Sequence, residues 1–261
     1  MAGRISPGSR ETPGRPRRTQ EAEIRAAAAT FRAVATRAVA EATVGVEATV
    51  VAAEAAISRW SLRRRRQPSG RADALIVGLG NPGDRYAGTR HNLGFQIAEE
   101  LSRRWDLPKP RKRYGALLAE GRMGPGGPRV ALLLPQTFMN ESGNAAGPAR
   151  GELGLPLDHV IVLHDEIDLP FGEVRSKLGG GVAGHNGLKS LNQGLGGKDF
   201  WRVRGGVGRP DSTDPEIVSS YVLSRFQEPH EDVERLIGDA ADEAERLVEQ
   251  IARAQGEEEM D

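Results

Sequence analysis

From residue 73 onward, the hydrophobic residues of the chain fall into two alternating patterns. Short apolar runs predict buried strands, and apolar residues three or four positions apart predict one face of a helix. Because the two patterns alternate, we expect an α/β fold, a three-layer α/β/α sandwich around a central mixed sheet. In chain order the predicted elements are a strand at 74–79, a helix from about His91, two strands at 113–123 and 129–135 joined by the turn GPGGP, a helix at 142–153, strands at 159–164 and 172–178, a helix at 187–195, a strand at 201–208 and a last helix from about Pro229.

Residues 1–71 have a different texture. The first twenty residues are rich in Pro, Gly and Arg and have little to bury, which predicts disorder. Residues 21–66 are alanine-rich and favour a helix, although their apolar stripe is broken. Three interpretations stay open: a helical arm that contacts RNA through arginines, a solvated charged helix, or translated GC-rich sequence upstream of the true start. The next methionine is Met123, inside the folded domain, so a misplaced start requires a non-ATG codon.

Charge separates the same two parts. The chain has 36 basic and 36 acidic residues. Residues 1–71 contain 14 arginines and 6 glutamates, which leaves 22 basic and 30 acidic residues for 72–261. We therefore expect an N-terminal disordered or helical extension at 1–71 and a second, folded domain at 72–261.

The composition excludes several classes of function. There is no cysteine, which removes disulfides, thiolate metal sites and a cysteine nucleophile, and fits an intracellular enzyme. No apolar run approaches the length of a membrane span, and the N-terminus lacks the pattern of a signal peptide. We expect a cytoplasmic protein without a membrane partner.

The segment GLGNPG at residues 78–83 has the spacing G-x-G-x-x-G directly after a strand, which is the pattern of a dinucleotide-binding turn. Such a turn must lead straight into a helix that receives the pyrophosphate. Here Pro82 lacks an N–H and disfavours the α region at Asn81, and the residues that follow have no helical period. The segment therefore predicts a polar loop at a strand end, and a nucleotide-dependent oxidoreductase remains only a third hypothesis.

A histidine and an aspartate are positioned to meet at this strand end. His91 lies between the loop and a helix, and Asp165 directly follows a buried strand. A carboxylate paired with an imidazole fixes its tautomer and stabilises the imidazolium that forms on proton abstraction. The pair is therefore a candidate general base, although each residue alone would be taken for a helix cap or a surface turn.

Two further clusters contain polar groups. In KLGGGVAGHNGLKSL a glycine-rich loop leads into a helix, where Asn186 and backbone amides could bind phosphate or carbonyl oxygens. The flanking basic residues could meet a polyanion, or they are ordinary solvated side chains; they are Lys177, Lys189, Arg202 and Arg204. In PQTFMNESGNA, Asn140 either caps the next helix or faces a site.

The nucleophile is expected to be water. The chain has no G-x-S-x-G elbow and no metal-ligand spacing such as H-E-x-x-H, and it lacks cysteine. A His–Asp base surrounded by amide side chains suits hydrolysis of a reactive ester.

Taken together, four segments closely resemble bacterial peptidyl-tRNA hydrolase: IVGLGNPGDRYAGTRHNLGF, LLPQTFMNESG, VLHDEIDLPFGEVRSKLGGGVAGHNGLKS and WRVRGGVGRP…YVLSRF. They occur in order from about Asp73 to the last helix. The resemblance implies a monomeric α/β enzyme, without cofactor or metal, that cleaves the ester between a peptide and the 3′ ribose of tRNA and so recycles tRNA. Residues 72–261 would be its catalytic domain, and the extension at 1–71 departs from the usual family member.

The same resemblance assigns roles to individual residues. It implies that His91 is the catalytic base, that Asp165 orients it, and that Asn81 recognises the peptide part of the substrate. Asn81 or Asn140, with backbone N–H groups, are expected to stabilise the oxyanion. Positions that match tRNA contacts are Tyr86, Phe138, Met139, Asn140 and Asn186 around the 3′ end, and Lys177 and Arg204 at phosphates. A catalytically silent RNA-binding relative is the main alternative, and the presence of Asn81, His91 and Asp165 argues against it.

Overall fold

The computed structural model describes residues 72–258. The extension predicted at residues 1–71 lies outside the described residues. The strands are β1 (Ala74–Gly78), β2 (Arg111–Arg113), β3 (Ala116–Arg122), β4 (Arg129–Pro135), β5 (Val160–Glu166), β6 (Val174–Leu178) and β7 (Trp201–Gly206). The helices are α1 (Leu93–Arg104), α2 (Gly143–Leu153), α3 (Asn186–Gly194), α4 (Pro215–Val222) and α5 (His230–Glu258), with short 3-10 turns at Arg90–Asn92, Met139–Glu141 and Leu157–His159.

The seven strands form one mixed sheet in the order β2-β3-β4-β1-β5-β7-β6. The four central strands β4, β1, β5 and β7 are parallel to one another, whereas β2, β3 and β6 pair antiparallel with their neighbours. Every residue of β1 is buried, because helices cover both faces of the sheet. This is why β1 has a continuous apolar run in the sequence. The predicted mixed sheet is confirmed.

Helices form a layer on each side of the sheet. Alternate residues of the central strands, such as Ile76 and Leu132, pack with α1 and α5, whereas Leu75 and Leu133 pack with α2 and α3. The period of two residues along each strand therefore separates two hydrophobic cores. The three-layer sandwich expected from the sequence is the observed architecture.

Two elements were not predicted. All three residues of β2 are exposed and basic, so that strand has no apolar alternation to detect. Helix α4 buries only Val222, although a start signal is present: Asp214 caps the helix by accepting from the Glu216 N–H at 2.8 Å, and Pro215 follows it. A smaller difference is that Asp165 lies within β5 and not beyond its end.

In residues 72–258, no helix combines the length and the apolar character that crossing a bilayer demands.

Candidate active site

The carboxyl ends of the parallel strands open into a cleft of about 720 Å³. Asn81 follows β1, Phe138 to Asn140 follow β4, and Asp165 lies at the end of β5. The loop at 181–186 and one side of α4 complete the walls. A ligand site in an open α/β sheet is expected at this position, because the connections from adjacent strands diverge there.

Glycines let the first loop approach the helix that follows it. A Cβ at Gly94, in the first turn of α1, would lie 2.2 Å from the carbonyl oxygen of Leu163 and 2.5 Å from the nitrogen of Leu79. Gly83 has φ +102°, and its carbonyl accepts from the Tyr86 N–H at 3.0 Å in a turn. The glycines thus allow close packing and a tight turn, and the chain reaches a 3-10 turn at Arg90–Asn92 before α1 begins.

The His91 ring and the Asp165 carboxylate are hydrogen-bonded. Nδ1 of His91 lies 3.0 Å and 3.1 Å from the two carboxylate oxygens. Because a carboxylate can only accept, Nδ1 is the protonated nitrogen and Nε2 has a free lone pair. Nε2 has no hydrogen-bond partner among residues 72–258, and the ring lines the cleft. The arrangement leaves a basic nitrogen available to a bound molecule.

Burial and charge act in opposite directions on this pair. Burial alone lowers the pKa of His91, but the charge and the hydrogen bond of Asp165 outweigh it, so the pKa is raised above its ordinary value. For Asp165, burial by itself raises the pKa. The charge of His91 and the hydrogen bonds from His185 and His91 have a larger and opposite effect, so the pKa of this carboxyl lies well below its usual range. A fixed negative charge therefore faces an imidazole that it makes more basic.

Two more histidines surround the carboxylate. Nε2 of His185 lies 3.2 Å from Oδ1 of Asp165. His164 donates from Nδ1 to the backbone carbonyl of Asp165 at 2.7 Å, and its buried Nε2 has no partner in residues 72–258. Burial and the neighbouring His185 lower the pKa of His164 to about 3, so this ring is neutral. Neither His164 nor His185 was among the site residues predicted from the sequence.

Asn81 is held by three hydrogen bonds. Its backbone N–H donates to Oδ1 of Asn92 at 2.9 Å, and its carbonyl accepts from Nδ2 of Asn92 at 2.9 Å. Its own Oδ1 accepts from the Met139 N–H at 2.9 Å. The side-chain Nδ2 is therefore oriented with both protons available in the cleft. Asn140 is exposed and has no comparable support in the described part of the chain, nor does it cap α2, whose N-cap is Ser142.

Seven of the ten predicted site residues line the cleft. Those that line it are Asn81, His91, Phe138, Met139, Asn140, Asp165 and Asn186. Three lie outside its lining. Tyr86 lies in the turn after Gly83, where Arg85 stacks over its ring. Lys177 lies on the edge strand β6, and Arg204 lies on the adjacent strand β7.

Basic residues face each other across β6 and β7. Lys177 is opposite Arg202, and Arg175 is opposite Arg204. Like charges in direct cross-strand pairs are unfavourable unless a counterion or a ligand compensates them. Arg202 donates to the carbonyls of Gly180 and Gly181, whereas Nε of Arg204 has no partner within residues 72–258. These four side chains form a basic ladder that leads to the glycine-rich loop beside the cleft.

Arg90, which precedes His91, is another residue for which the sequence predicted no role. It is buried, donates to Oγ of Ser224 at 2.7 Å and pairs with Glu228 at 3.1 Å. Its guanidinium also lies 4.3 Å from the ring centroid of Tyr221. These contacts fasten the turn that contains His91 to the segment following α4, and the apolar side of α4 forms one wall of the cleft.

His91, Asp165 and His185 place three potential metal-ligand atoms within 4.8 Å of one another. The hydrogen bonds do not fit a metal site. Nδ1 of His185 accepts from backbone N–H groups, so the proton lies on Nε2, and a metal at Nε2 would force a proton onto Nδ1 against those donors. The backbone N–H groups bound to His185 thus favour proton transfer over metal ligation.

The fold and the cleft define an α/β enzyme, and the comparisons with known proteins assign it to the hydrolases. A sequence model of the family described as Peptidyl-tRNA hydrolase matches residues 75–260. The chain belongs to the peptidyl-tRNA hydrolase family.

Relatives and solved structures agree with this assignment. The peptidyl-tRNA hydrolase of Renibacterium salmoninarum is 46% identical over 175 residues, which cover 67% of this chain and 90% of that protein. That of Alkalilimnicola ehrlichii is 51% identical over 177 residues, covering 67% and 86%. The crystal structure of peptidyl-tRNA hydrolase from Acinetobacter baumannii has a TM-score of 0.61 and 35% identity, and the match covers 74% of this chain and 95% of that one.

Proposed function

We propose that this protein hydrolyses the ester between a peptide, or an N-blocked aminoacyl group, and the 3′ ribose of tRNA by general-base catalysis. The main supporting observation is the His91–Asp165 pair, in which Nε2 of His91 is unprotonated and faces the cleft. His91 takes a proton from water as the water attacks the ester carbonyl. Asp165 holds the tautomer and stabilises the imidazolium that results.

Asn81 is the amide donor best suited to hold the acyl part. Because Met139 and Asn92 fix its side chain and backbone, Nδ2 can donate to a carbonyl oxygen of the peptide without reorganising. The apolar side of α4, with Val218 and Val222, offers a surface for the peptide side chains. Asn81 thus keeps the ester within reach of the activated water.

The tRNA end is proposed to lie over the glycine-rich loop and the basic ladder. Asn186, Phe138 and Asn140 line the cleft next to that loop, where they can contact the 3′ nucleotides. Lys177 and Arg204 lie on the last two strands of the sheet, β6 and β7, where they can neutralise phosphates. Tyr86, on the turn after Gly83, is proposed to contact the 3′ end from outside the cleft.

We assign this activity to residues 72–261 acting as a monomer in the cytoplasm, where peptidyl-tRNA is produced. Hydrolysis there would recycle tRNA from prematurely released chains. Residues 1–71 are proposed to be an appended segment and have no role in this mechanism.

The direct test is turnover of N-acetyl-aminoacyl-tRNA by the wild type and by His91→Ala. Loss of the base is expected to reduce kcat on the order of 10²–10⁴-fold. His230→Ala is the matched control, because His230 is 86% exposed on α5, outside the cleft. Full turnover by His91→Ala would overturn the assignment of the base.

A further inference from the structure

His185 connects the catalytic carboxylate to the first turn of α3. Its Nδ1 accepts from the N–H groups of Gly187 at 3.1 Å and Leu188 at 3.4 Å, which makes it the N-cap of that helix. Its Nε2 lies 3.2 Å from Oδ1 of Asp165, and the side chain is only 10% exposed. Both ring nitrogens are therefore engaged, one as an acceptor and the other as a donor.

A histidine is an unusual choice for this position. Helix N-caps are preferentially Ser, Thr, Asp or Asn, which supply an oxygen acceptor on a short side chain. Such side chains would satisfy Gly187 and Leu188, but they lack a donor that extends as far as the carboxylate. The additional property of imidazole is an N–H on the opposite side of the ring, directed at Asp165.

We propose that His185 is a positioning residue for hydrolysis: from a ring oriented by its hydrogen bonds to α3, it donates to Asp165, fixes the carboxylate and moderates the charge that this carboxylate presents to His91. The proposal rests on the proposed function of His91 and Asp165 as the general-base pair. It assigns to the glycine-rich loop a direct connection to the base.

The cap fixes which nitrogen of His185 faces Asp165. Because Nδ1 accepts from two backbone N–H groups, the N–H of the ring lies on Nε2 and is directed at the carboxylate. Nδ1–H of His91 is the second donor to the carboxylate, and Nε2 of His91 is free to take a proton, whereas both nitrogens of His185 are engaged. A proton taken from water therefore resides on His91.

Other ionisable groups near the pair come from two strands and from the segment after β7. They are His164 and Glu166 on β5, Arg202 and Arg204 on β7, and Arg209, which lines the cleft and is paired with Asp168. His164 is neutral, and Arg202 is bound to the carbonyls of Gly180 and Gly181. Among the described residues, none of these side chains donates a hydrogen bond to the Asp165 carboxylate. Apart from the base itself, His185 is therefore the residue whose removal most directly alters the hydrogen bonding of that carboxylate.

Removal of the His185 donor is expected to raise the pKa of His91. Without His185, the full charge of Asp165 acts on His91 and favours its protonated form. Because the base must be unprotonated, the acidic limb of kcat/KM against pH is expected to move upward by about half a unit to one unit. At the acidic end of the profile kcat/KM is expected to fall about 3-fold to 10-fold, and the decrease is smaller at alkaline pH.

Two substitutions separate the cap from the donor. His185→Ser keeps an oxygen at the N-cap but has no group that reaches Asp165. His185→Gln has an amide N–H at about the reach of Nε2 but is a poor cap. We expect Ser to shift the acidic limb and to leave the Tm near that of the wild type. We expect Gln to keep the limb in place and to lower the Tm.

The experiment measures kcat/KM for N-acetyl-aminoacyl-tRNA from about pH 5.5 to about pH 9, which brackets the ordinary imidazole range. An NMR titration of the His91 ring in the same full-length variants measures the same shift without activity. An unmoved limb and an unmoved His91 titration in His185→Ser would overturn the proposal. If that variant does not fold, His185→Asn, which also preserves the cap, decides by the same two measurements.

Failure of this proposal is distinguishable from failure of the proposed function. If His91→Ala is inactive and His185→Ser has the wild-type pH profile, His185 is only a helix cap and the base assignment stands. If His91→Ala turns over normally, the base assignment is wrong and this proposal is overturned with it.

Discussion

At the scale of single residues, the cleft is organised by the number of hydrogen bonds each polar atom can make. Asp165 accepts hydrogen bonds from His91 and His185. The other nitrogen of His185 accepts from the first turn of α3, and the other nitrogen of His91 is free among the described residues. The tautomers follow from the partners, because a carboxylate cannot donate and a backbone N–H cannot accept. Proton positions are therefore set before a substrate binds.

The pH dependence follows from His91. Its pKa is raised, so the base becomes available only as the pH rises through a value above about 6.5. We expect kcat/KM to fall on the acidic side of that value with the slope of a single ionisation. A profile of kcat/KM against pH measures it, and an activity that stays flat to well below pH 6.5 would contradict the raised pKa.

Asp165→Asn tests the partner of the base. The amide removes the negative charge, so the acidic limb is expected to move to lower pH, while kcat falls on the order of 10²–10⁴-fold as the tautomer and the imidazolium lose support. Asp168→Asn is a suitable control, because that exposed aspartate pairs with Arg209 at the cleft mouth. An upward shift of the limb would be inconsistent with the charge of Asp165 acting on His91.

Asn81→Asp isolates the donor role of Asn81. The aspartate keeps an oxygen for the Met139 N–H but has no amide to donate to a carbonyl. We expect kcat/KM to fall about 10-fold to 100-fold, which is the effect of one lost hydrogen bond at a reacting or recognised group. Because Asn81 is buried, the new carboxylate also costs stability, so thermal unfolding is measured alongside. Wild-type kcat/KM in this variant would remove Asn81 from the mechanism.

At the scale of elements, the position of α1 determines where His91 lies. Gly94 allows the first turn of α1 to touch the backbone of Leu79 and Leu163, and the turn containing His91 immediately precedes it. Arg90 fixes that turn from the other side, through Ser224 and Glu228. The base is thus held between the sheet and the segment after α4.

Gly94→Ala is expected to destabilise the protein. A methyl group there would collide with backbone atoms that cannot rotate away, so α1 must shift, at a cost of about 1–3 kcal/mol typical of overpacking. Gly151→Ala is the matched control, because no atom lies within 4 Å of its added Cβ on α2. Chemical or thermal unfolding measures both; equal stabilities would show that the close contact at Gly94 has no energetic weight.

At the scale of the whole molecule, the basic and acidic residues balance, and what differs from place to place is the local charge. The chain is formally neutral, so attraction to a polyanion depends on local arrangement. The basic ladder on β6 and β7 provides such an arrangement next to the cleft. Arg103 and Arg104 on α1 are paired with Glu100, and Arg175 of the ladder is paired with Glu173, which makes these three less available to an external phosphate.

Lys177→Gln and Arg204→Gln should weaken substrate binding through phosphates. Each is expected to raise KM and to reduce the slope of log binding constant against log salt by about one. Arg103→Gln, on an exposed paired residue, is the control. A salt dependence unchanged by both ladder substitutions would place the tRNA backbone elsewhere.

The sequence by itself determined the order of the elements, the mixed sheet, the family resemblance and the polar residues expected at the strand ends. It could do so because strand and helix periods, glycine turns and motif order are local properties. Helix α4 and strand β2 escaped prediction because they bury little of their surface.

Only the tertiary structure decided which groups meet. His185 is twenty residues from Asp165, and Arg90 is more than a hundred from Glu228, so neither contact is visible in a local pattern. The tautomers of His91 and His185 and the free Nδ2 of Asn81 all depend on such distant partners. The physical reason is that hydrogen-bond geometry and burial, which set proton positions, exist only when the sheet has brought the loops together.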